Sequence, residues 1–253
     1  MTRSIVKYGM PIIIGTALGK NPSITFFGGY DVFKINVNQS QIVSGVFRTL
    51  ADAEIEVNWG DGSSNTYSGT DDQAYSHDYG SVGDYIINLI EKSKNCLTKF
   101  TMGKSGTDIS FDIGASPRGL TFLDVQGSNT ISGNVGTAPI GLTFFAISGY
   151  NTISGDVGTV PIGVLRLYIY GRNTISDYTT GIWVGAKQRF IIVPVSPGGL
   201  DATEIDNLFI DFDAGVDCSE IIIYLTGTNA APTSASQTAR DHIISEGGTI
   251  TTN

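Results

Sequence analysis

Gly-Ser-Asn-Thr-Ile-Ser-Gly stands at 127–133, and two near-copies follow it: Gly-Tyr-Asn-Thr-Ile-Ser-Gly at 149–155 and Gly-Arg-Asn-Thr-Ile-Ser-Asp at 171–177. The step between copies is 22 residues, and Pro117, Pro139 and Pro161 keep the same step. A fixed period of this length is typical of a solenoid, in which each coil buries its apolar side chains only against neighbouring coils. The repeat therefore predicts a solenoid, an architecture that more often presents a surface than carries out a reaction.

Each repeat begins with an apolar strand pattern. Its four copies are Leu97-x-x-Phe100-x-Met102, Leu120-x-x-Leu123-x-Val125, Leu142-x-x-Phe145-x-Ile147 and Val164-x-x-Leu167-x-Ile169. Followed by an Asn and another aliphatic residue, the pattern resembles an atypical leucine-rich repeat. The resemblance implies that Asn129, Asn151 and Asn173 form a buried ladder of hydrogen bonds to the backbone of adjoining turns. The convex side, with Val135, Val157 and the Pro-Ile-Gly segments, is expected to close without helices.

Side chains between these inward positions are predicted to point outward, because successive residues of a strand face opposite sides. The outward positions carry an aromatic patch with one acid and one base: Phe122, Asp124, Phe144, Arg166, Tyr168 and Tyr170. An exposed aromatic patch predicts a contact surface for a protein or for a glycan ring. A neighbouring copy or domain of the same assembly covering this patch is the alternative.

The region before the repeats contains short alternating strands, predicted at 23–27, 31–37, 54–58, 66–67, 73–79 and 84–90. Its most specific residues form an ordered set: Trp59, Gly60, Asp61, Gly62, His77, Tyr79, Gly83 and Tyr85. This set resembles the PKD family of Ig-like domains. It departs from the family pattern because no insert separates Trp59 from the Gly-Asp-Gly and because Ile87 replaces the usual Val. The resemblance implies a β-sandwich in which Trp59 fills the interior.

Beyond the repeats, the pattern predicts strands at 190–193, 220–225 and 249–252 and helices at 201–212 and 234–244. Such a unit would cap the open end of the solenoid. The predicted fold is therefore mainly β, with four parts: an attachment arm at 1–22, a PKD/Ig-like sandwich at 23–95, leucine-rich-repeat-like coils at 96–185 and an α/β repeat and cap at 186–253.

Catalytic chemistry finds little support in the sequence. The only histidines, His77 and His242, lie in different predicted parts, and Asp124 has Ala146 and Tyr168 at the equivalent repeat positions, so no carboxylate pair forms there. The sequence thus predicts a protein that is not an enzyme and has no cofactor.

Metal and thiol chemistry also have simple interpretations. Aspartates crowd one stretch of the predicted sandwich and flank Phe212, which leaves Ca²⁺ binding as the minor alternative to turn capping and solvated acids. They are Asp61, Asp71, Asp72, Asp78 and Asp84, together with Asp211 and Asp213. Cys96 and Cys218 lack any metal-ligand spacing, and two buried free thiols are favoured over a disulfide.

The net charge of −9 and the lack of a basic run argue against nucleic acid as a partner. The apolar run at 10–18 is too short to span a bilayer and has no cleavage site after it, so neither membrane insertion nor export by the Sec route is expected.

The Asn-Thr-Ile repeats, with the Ala-Pro-Thr-Ser-Ala and Ile-x-x-Gly-Gly ending, are similar to sequences in bacteriophage genomes and in surface proteins of gut Bacteroidetes. The resemblance implies a virion structural protein of the tail or capsid, attached through residues 1–20. Its expected partners are other virion proteins, a host-surface glycan or protein, or further copies of itself. The alternative is a bacterial cell-surface adhesion or glycan- or protein-binding module.

Overall fold

The computed structural model describes residues 31–103, 108–179, 185–186, 188–195 and 198–253. The expected attachment arm at 1–22 and the strand predicted at 23–27 lie outside these residues. Within them the chain is mainly β, as the sequence predicted.

Most strands join one continuous sheet in the order β14-β13-β11-β9-β8-β7-β5-β1-β4-β2-β3, with β6 pairing to both β1 and β7. The strands are β1 (Val32–Thr49), β2 (Glu54–Asn58), β3 (Ser64–Ser68), β4 (Gln73–Glu91), β5 (Leu97–Met102), β6 (Asp108–Asp112), β7 (Phe122–Asn134), β8 (Phe144–Asp156), β9 (Arg166–Asp177), β10 (Gly185–Ala186), β11 (Arg189–Val195), β12 (Val216–Asp217), β13 (Ile222–Leu225) and β14 (Thr249–Thr252). The α-helices are α1 (Ala202–Gly215) and α2 (Gln237–Ser245). Single 3₁₀ turns lie at Ile113–Ala115, Val135–Thr137, Val157–Thr159 and Ser234–Ser236.

The N-terminal part is organised by two long antiparallel strands. β1 pairs with β4 from Val32–Ile90 at one end to Phe47–Gln73 at the other. The predicted strands at 73–79 and 84–90 are therefore one strand, and the strand predicted at 31–37 continues to residue 49. β1 changes partner along its length, from β6 near its start to β5 near its end, which joins this part to the first coil.

Aromatic packing makes the two parts share one core. Phe100 of the first coil meets Phe33 edge-on and stacks on Phe47, with ring centroids 5.9 Å apart in both pairs. All three rings are buried and belong to the apolar cluster that runs through the whole described chain. Burial of this kind is the main stabilising term in a fold, so the first coil and the N-terminal strands stabilise each other.

The coils stack as parallel strands in register. One inward row runs through Phe100, Leu123, Phe145, Leu167 and Phe190, each paired with the next across β5, β7, β8, β9 and β11. Every member of the row is buried. The 22-residue period therefore places like side chains on top of one another, which confirms the predicted solenoid-like stacking.

Each coil turns a corner at a repeat glycine. Gly149 and Gly171 have φ angles of 129° and 86°, which side chains rarely tolerate. A Cβ atom on Gly171 would also lie 2.3 Å from the carbonyl oxygen of Gly149 in the coil before it. The glycine lets the strand bend and the coils approach closely, so that Ile153 and Ile175 after the corner are also buried.

The side of the coils that contains Val135 and Val157 was expected to close without helices, but it carries short 3₁₀ turns. Each turn is capped by the side chain before it: Asn134 accepts from the amide of Gly136 at 2.8 Å and Asp156 from that of Gly158 at 2.7 Å. A cap at this position supplies a partner for an amide that the short turn leaves free. The repeat therefore contains a second set of structural polar residues besides the Asn of Asn-Thr-Ile.

The expected asparagine ladder forms unevenly. Asn151 accepts from the amide of Ile131 in the preceding coil at 3.1 Å. Asn173 instead bonds within its own coil, accepting from the amide of Ile175 at 3.1 Å and donating to the carbonyl of Gly171 at 3.2 Å. Asn129 is buried, but its amide has no hydrogen-bond partner among the described residues.

The C-terminal part continues the same sheet with parallel strands. β11, β13 and β14 pair in sequence, with α1 and α2 in the connections between them. Asp201 begins α1 with a reciprocal pair of hydrogen bonds to Glu204, and Phe212 of this helix packs edge-on against Phe190 at 4.9 Å. The predicted strands and helices of this part are confirmed, and they bury the apolar end of the coils.

The asparagine column gives a graded test of stability. Asn173→Ala is expected to lower the free energy of unfolding by about 1–3 kcal/mol, because it leaves a buried amide and a carbonyl unpaired. Asn129→Ala deletes the same atoms but breaks no hydrogen bond of the described chain, and Asn151→Ala falls between the two. Urea unfolding of the three variants measures the order, and equal losses at 129 and 173 would contradict it.

Candidate functional site

The exposed side of the coiled sheet carries the candidate site, and strand register fixes its layout. One row across β7, β8, β9 and β11 contains Phe122, Phe144, Arg166 and Arg189. The next row contains Asp124, Ala146, Tyr168 and Ile191, followed by Tyr224 of β13. Because paired positions share a face, these side chains lie side by side.

Aromatic rings form a continuous band along this face. Phe122 and Phe144 stack with centroids 4.1 Å apart, and Phe144 lies 5.5 Å from Tyr168. Tyr168 in turn lies 6.4 Å from Tyr170, which is 37% exposed. Rings held against one another in this way need little further ordering when a ligand binds, since their rotamers are already fixed by contact.

A pocket of about 240 Å³ opens in the middle of the band. Ala146 and Ser148 lie between larger neighbours, and the pocket is lined by Asp124, Gln126, Phe144, Ala146, Ile147, Ser148, Tyr168 and Tyr170. The pocket exists because the middle coil has small side chains where the coils beside it have large ones. Its volume is below the roughly 300–1,000 Å³ of sites for drug-sized ligands, so it suits a single small group.

The polar wall of the pocket is a coupled acid and amide. Gln126 donates to both carboxylate oxygens of Asp124, at 3.0 and 3.1 Å. Burial raises the pKa of Asp124, while the bond from Gln126 and the charge of Lys99 oppose that rise. The fixed amide holds the carboxylate in one orientation, with acceptor capacity left over on its oxygens.

Cationic side chains lie at both ends of the row that contains Phe122 and Phe144, and they have different partners at the two ends. At one end Arg48 and Lys99 both bind Asp72, at 2.9 and 2.7 Å, and the Lys99 ammonium also lies 4.8 Å from the centre of the Phe122 ring. At the other end Arg166 donates through Nε to the side-chain oxygen of Gln188 at 2.6 Å.

All six predicted binding residues lie on this one face, but the pocket itself gathers four of them. Asp124, Phe144, Tyr168 and Tyr170 line it, whereas Phe122 and Arg166 lie beside it. The prediction did not include Gln126, Ala146, Ser148, Arg189 and Tyr224. Gln126, Ala146 and Ser148 occupy outward positions of the repeat strands. Their small or amide side chains, between larger neighbours, were the sequence signal that could have indicated a pocket. Arg189 and Tyr224 come from strands after the regular repeat ends, where no period indicated their register.

A second polar cluster surrounds Trp59, in the predicted PKD-like set. The imidazole of His77 stacks on Trp59 at 4.5 Å and pairs with Asp61 at 2.8 Å. The Ser63 hydroxyl donates to Asp61 at 2.7 Å, so the carboxylate lies between hydroxyl and imidazole. That order differs from a nucleophilic triad, in which the histidine contacts the hydroxyl. Tyr79 completes the cluster by donating to the Trp59 carbonyl at 3.1 Å.

Several of the other sequence candidates have structural contacts. In the described part of the chain, no group of three or more His, Cys, Asp or Glu side chains is placed to hold a metal ion. Asp72 binds Arg48 and Lys99, and Asp78 accepts from the Gly80 amide at 2.7 Å. His242 pairs with Asp213 at 2.5 Å on the surface of α2. Cys96 and Cys218 are both free and buried, as predicted.

Comparison with protein-family models, with curated proteins and with solved structures finds no match to this chain. Among the helices that the structure describes, none is both long enough and apolar enough to cross a bilayer.

The Asp61 cluster predicts a specific acid sensitivity. Desolvation raises the pKa of Asp61, but hydrogen bonds from Ser63 and His77 outweigh it and bring the pKa from 3.8 to about 2. A carboxyl group whose pKa is lower in the folded state than in the unfolded state stabilises the fold at pH values above its unfolded-state pKa. This stabilisation is lost as the pH falls from about 4 to about 2. Because the carboxylate is partly exposed, we expect a contribution of about 1 kcal/mol.

Asp61→Asn should therefore lower the unfolding free energy at neutral pH and remove this part of the acid dependence. Asp71→Asn is the matched control, since it deletes the same charge at an exposed position of the same region. Urea unfolding from about pH 7 to about pH 2 compares the two variants with the parent. An Asp61→Asn curve parallel to that of the parent would show that the carboxylate does not stabilise the fold.

Proposed function

We propose that this chain is a non-enzymatic recognition protein of a bacteriophage virion, and that it binds a saccharide in the pocket on its exposed sheet. The observation that carries the proposal is the joining of an aromatic band to one fixed carboxylate and amide in a single small pocket. A virion location follows the resemblance of its repeats and ending to sequences in bacteriophage genomes.

The apolar half of the pocket suits a sugar ring. Phe144, Tyr168 and Tyr170 present faces and edges that a sugar can cover with its C–H groups, and Ala146 and Ser148 leave room for the ring. Burial of aromatic surface supplies the favourable free energy of such a contact. A large planar cofactor would need a larger pocket.

The polar half suits hydroxyl groups. Asp124 is held by Gln126, so one carboxylate can accept hydrogen bonds from hydroxyls that lie across the aromatic floor. A hydrogen bond to an ionised acceptor is stronger than one between neutral groups. An apolar peptide side chain would bury this carboxylate further and leave its remaining acceptor capacity unused, which is costly. The combination therefore favours a saccharide over an apolar protein surface.

The finer fold assignment is also a proposal. We infer that the described residues of the predicted range 23–95, which begin at residue 31, form a PKD/Ig-like domain, supported by the buried Trp59, its contact with His77 and the turn glycines Gly60 and Gly62 at φ angles of 90° and 98°. We infer that the described residues of the predicted range 96–185 form a leucine-rich-repeat-like solenoid, supported by the in-register apolar strands and by the Asn151 bond between coils.

The rival placement is on a bacterial cell surface, where the same pocket would serve adhesion. It makes the same prediction for saccharide binding and a different one for location. Mass spectrometry of purified phage particles is expected to detect this chain. Its absence from particles, with detection in the fraction shaved from intact cells, would replace the virion proposal with the adhesion one.

Removing the tyrosines tests the pocket directly. Tyr168→Ala with Tyr170→Ala is expected to weaken binding to the best saccharide on a glycan array by about a hundredfold, because two ring contacts are lost. Isothermal titration of that saccharide measures the loss. Tyr150→Ala is the matched control, since Tyr150 is 62% exposed on β8 but lies outside the pocket.

Two results would contradict saccharide binding by the aromatic band. If no saccharide on the array binds, and the double variant infects or adheres like the parent, then the aromatic band is a structural surface. Covering of the same band by a second copy, seen as a tyrosine-dependent dimer in sedimentation, would also overturn saccharide recognition.

A further inference from the structure

Two arginines lie side by side at the edge of the pocket. Arg166 and Arg189 are register partners on the parallel strands β9 and β11, so their Cα atoms are about 4.8 Å apart. Both side chains are exposed and share the face of the aromatic band. Arg166 is also the register partner of Phe144, which lines the pocket.

No described carboxylate neutralises these two charges. Neither forms an ion pair with a carboxylate among the residues that the structure describes, although acidic residues outnumber basic ones by 24 to 15. At the other end of the same row, Arg48 and Lys99 share Asp72. Within the described chain, one pair of cations thus shares a carboxylate, whereas the pair beside the pocket has no carboxylate partner.

Like charges directly opposite each other on neighbouring strands repel and destabilise the sheet. The bond from Arg166 to Gln188 holds that guanidinium in place without changing its charge. The charge of Arg189 acts towards the pocket as well, since it opposes the rise in the pKa of Tyr170 that burial causes. An anion between the two arginines would remove the repulsion.

We propose that the saccharide bound in this pocket is acidic, and that Arg166 and Arg189 together bind a carboxylate of the sugar unit next to the one on the aromatic band. This rests on the proposed function, because the pocket must first bind a sugar. Arginine suits the task, since its planar fork matches the two oxygens of a carboxylate.

The layout separates the two charged groups of the site. Asp124 lies on β7, two strands from Arg166 and three from Arg189, so an anion bound by the arginines stays clear of this acid. Neutral hydroxyls would meet Asp124 and Gln126, and the carboxylate would meet the arginines. A ligand that is acidic at every position would place negative charge against Asp124, which excludes a nucleic acid backbone.

The test compares an acidic with a neutral oligosaccharide on the full chain. Isothermal titration uses cellobiouronate, in which one glucuronate is linked to one neutral glucose, and cellobiose as its neutral counterpart, beside an array that contains neutral and carboxylated glycans. We expect cellobiouronate to bind at least about tenfold more tightly at low salt. Arg166→Gln with Arg189→Gln should remove that preference and leave the affinity for cellobiose unchanged. Raising the salt from about 0.05 M to about 0.5 M should reduce the preference for the acidic sugar in the parent chain.

Arg118→Gln is the matched control, because Arg118 is an exposed arginine away from this face. Equal binding of acidic and neutral sugars, unchanged in the double arginine variant, would overturn the acidic assignment and leave saccharide recognition intact. Loss of both affinities in Tyr168→Ala with Tyr170→Ala, but of the acidic preference alone in the arginine variant, would support both. Binding to no glycan on the array would overturn both.

Discussion

The parallel register between coils is the constraint on which this structure depends. A period of 22 residues brings Leu123, Phe145 and Leu167 into one buried row and Asp124, Ala146 and Tyr168 into one exposed row. A slip of one residue would exchange the two faces, because side chains alternate along a strand. The corner glycines keep the register by letting coils approach to backbone contact, as Gly171 does against Gly149.

The same register separates positions whose residues repeat from coil to coil from positions whose residues differ between coils. Inward and corner positions repeat with little change, since every coil meets the same neighbour on either side. Outward positions are free to differ, and the small Ala146 and Ser148 between large residues create the pocket. The repeated Asn-Thr-Ile is therefore scaffold, and the candidate site lies where the repeat varies.

Other structure adjoins both ends of the coil stack. At one end β1 pairs with β5 and β6, and Phe33 and Phe47 pack on Phe100. At the other end the helices α1 and α2 lie in the connections of β11, β13 and β14, and Phe212 contacts Phe190. Contacts of this kind matter because an open apolar end of a solenoid would associate with other chains.

The sequence by itself determined the mainly β composition, the coil period, the inward rows and the common face of Phe122, Phe144, Tyr168 and Tyr170, because all of these follow from local periodicity. Only the tertiary structure decided that β1 and β4 are single long strands, that Asn173 is hydrogen-bonded while the Asn129 side chain has no partner among the described residues, and that Arg189 adjoins Arg166. Those features depend on pairing between distant segments, where no period predicts the register. The pocket depends on both, since the coil period places its residues on one face but the packing of neighbouring side chains sets its depth.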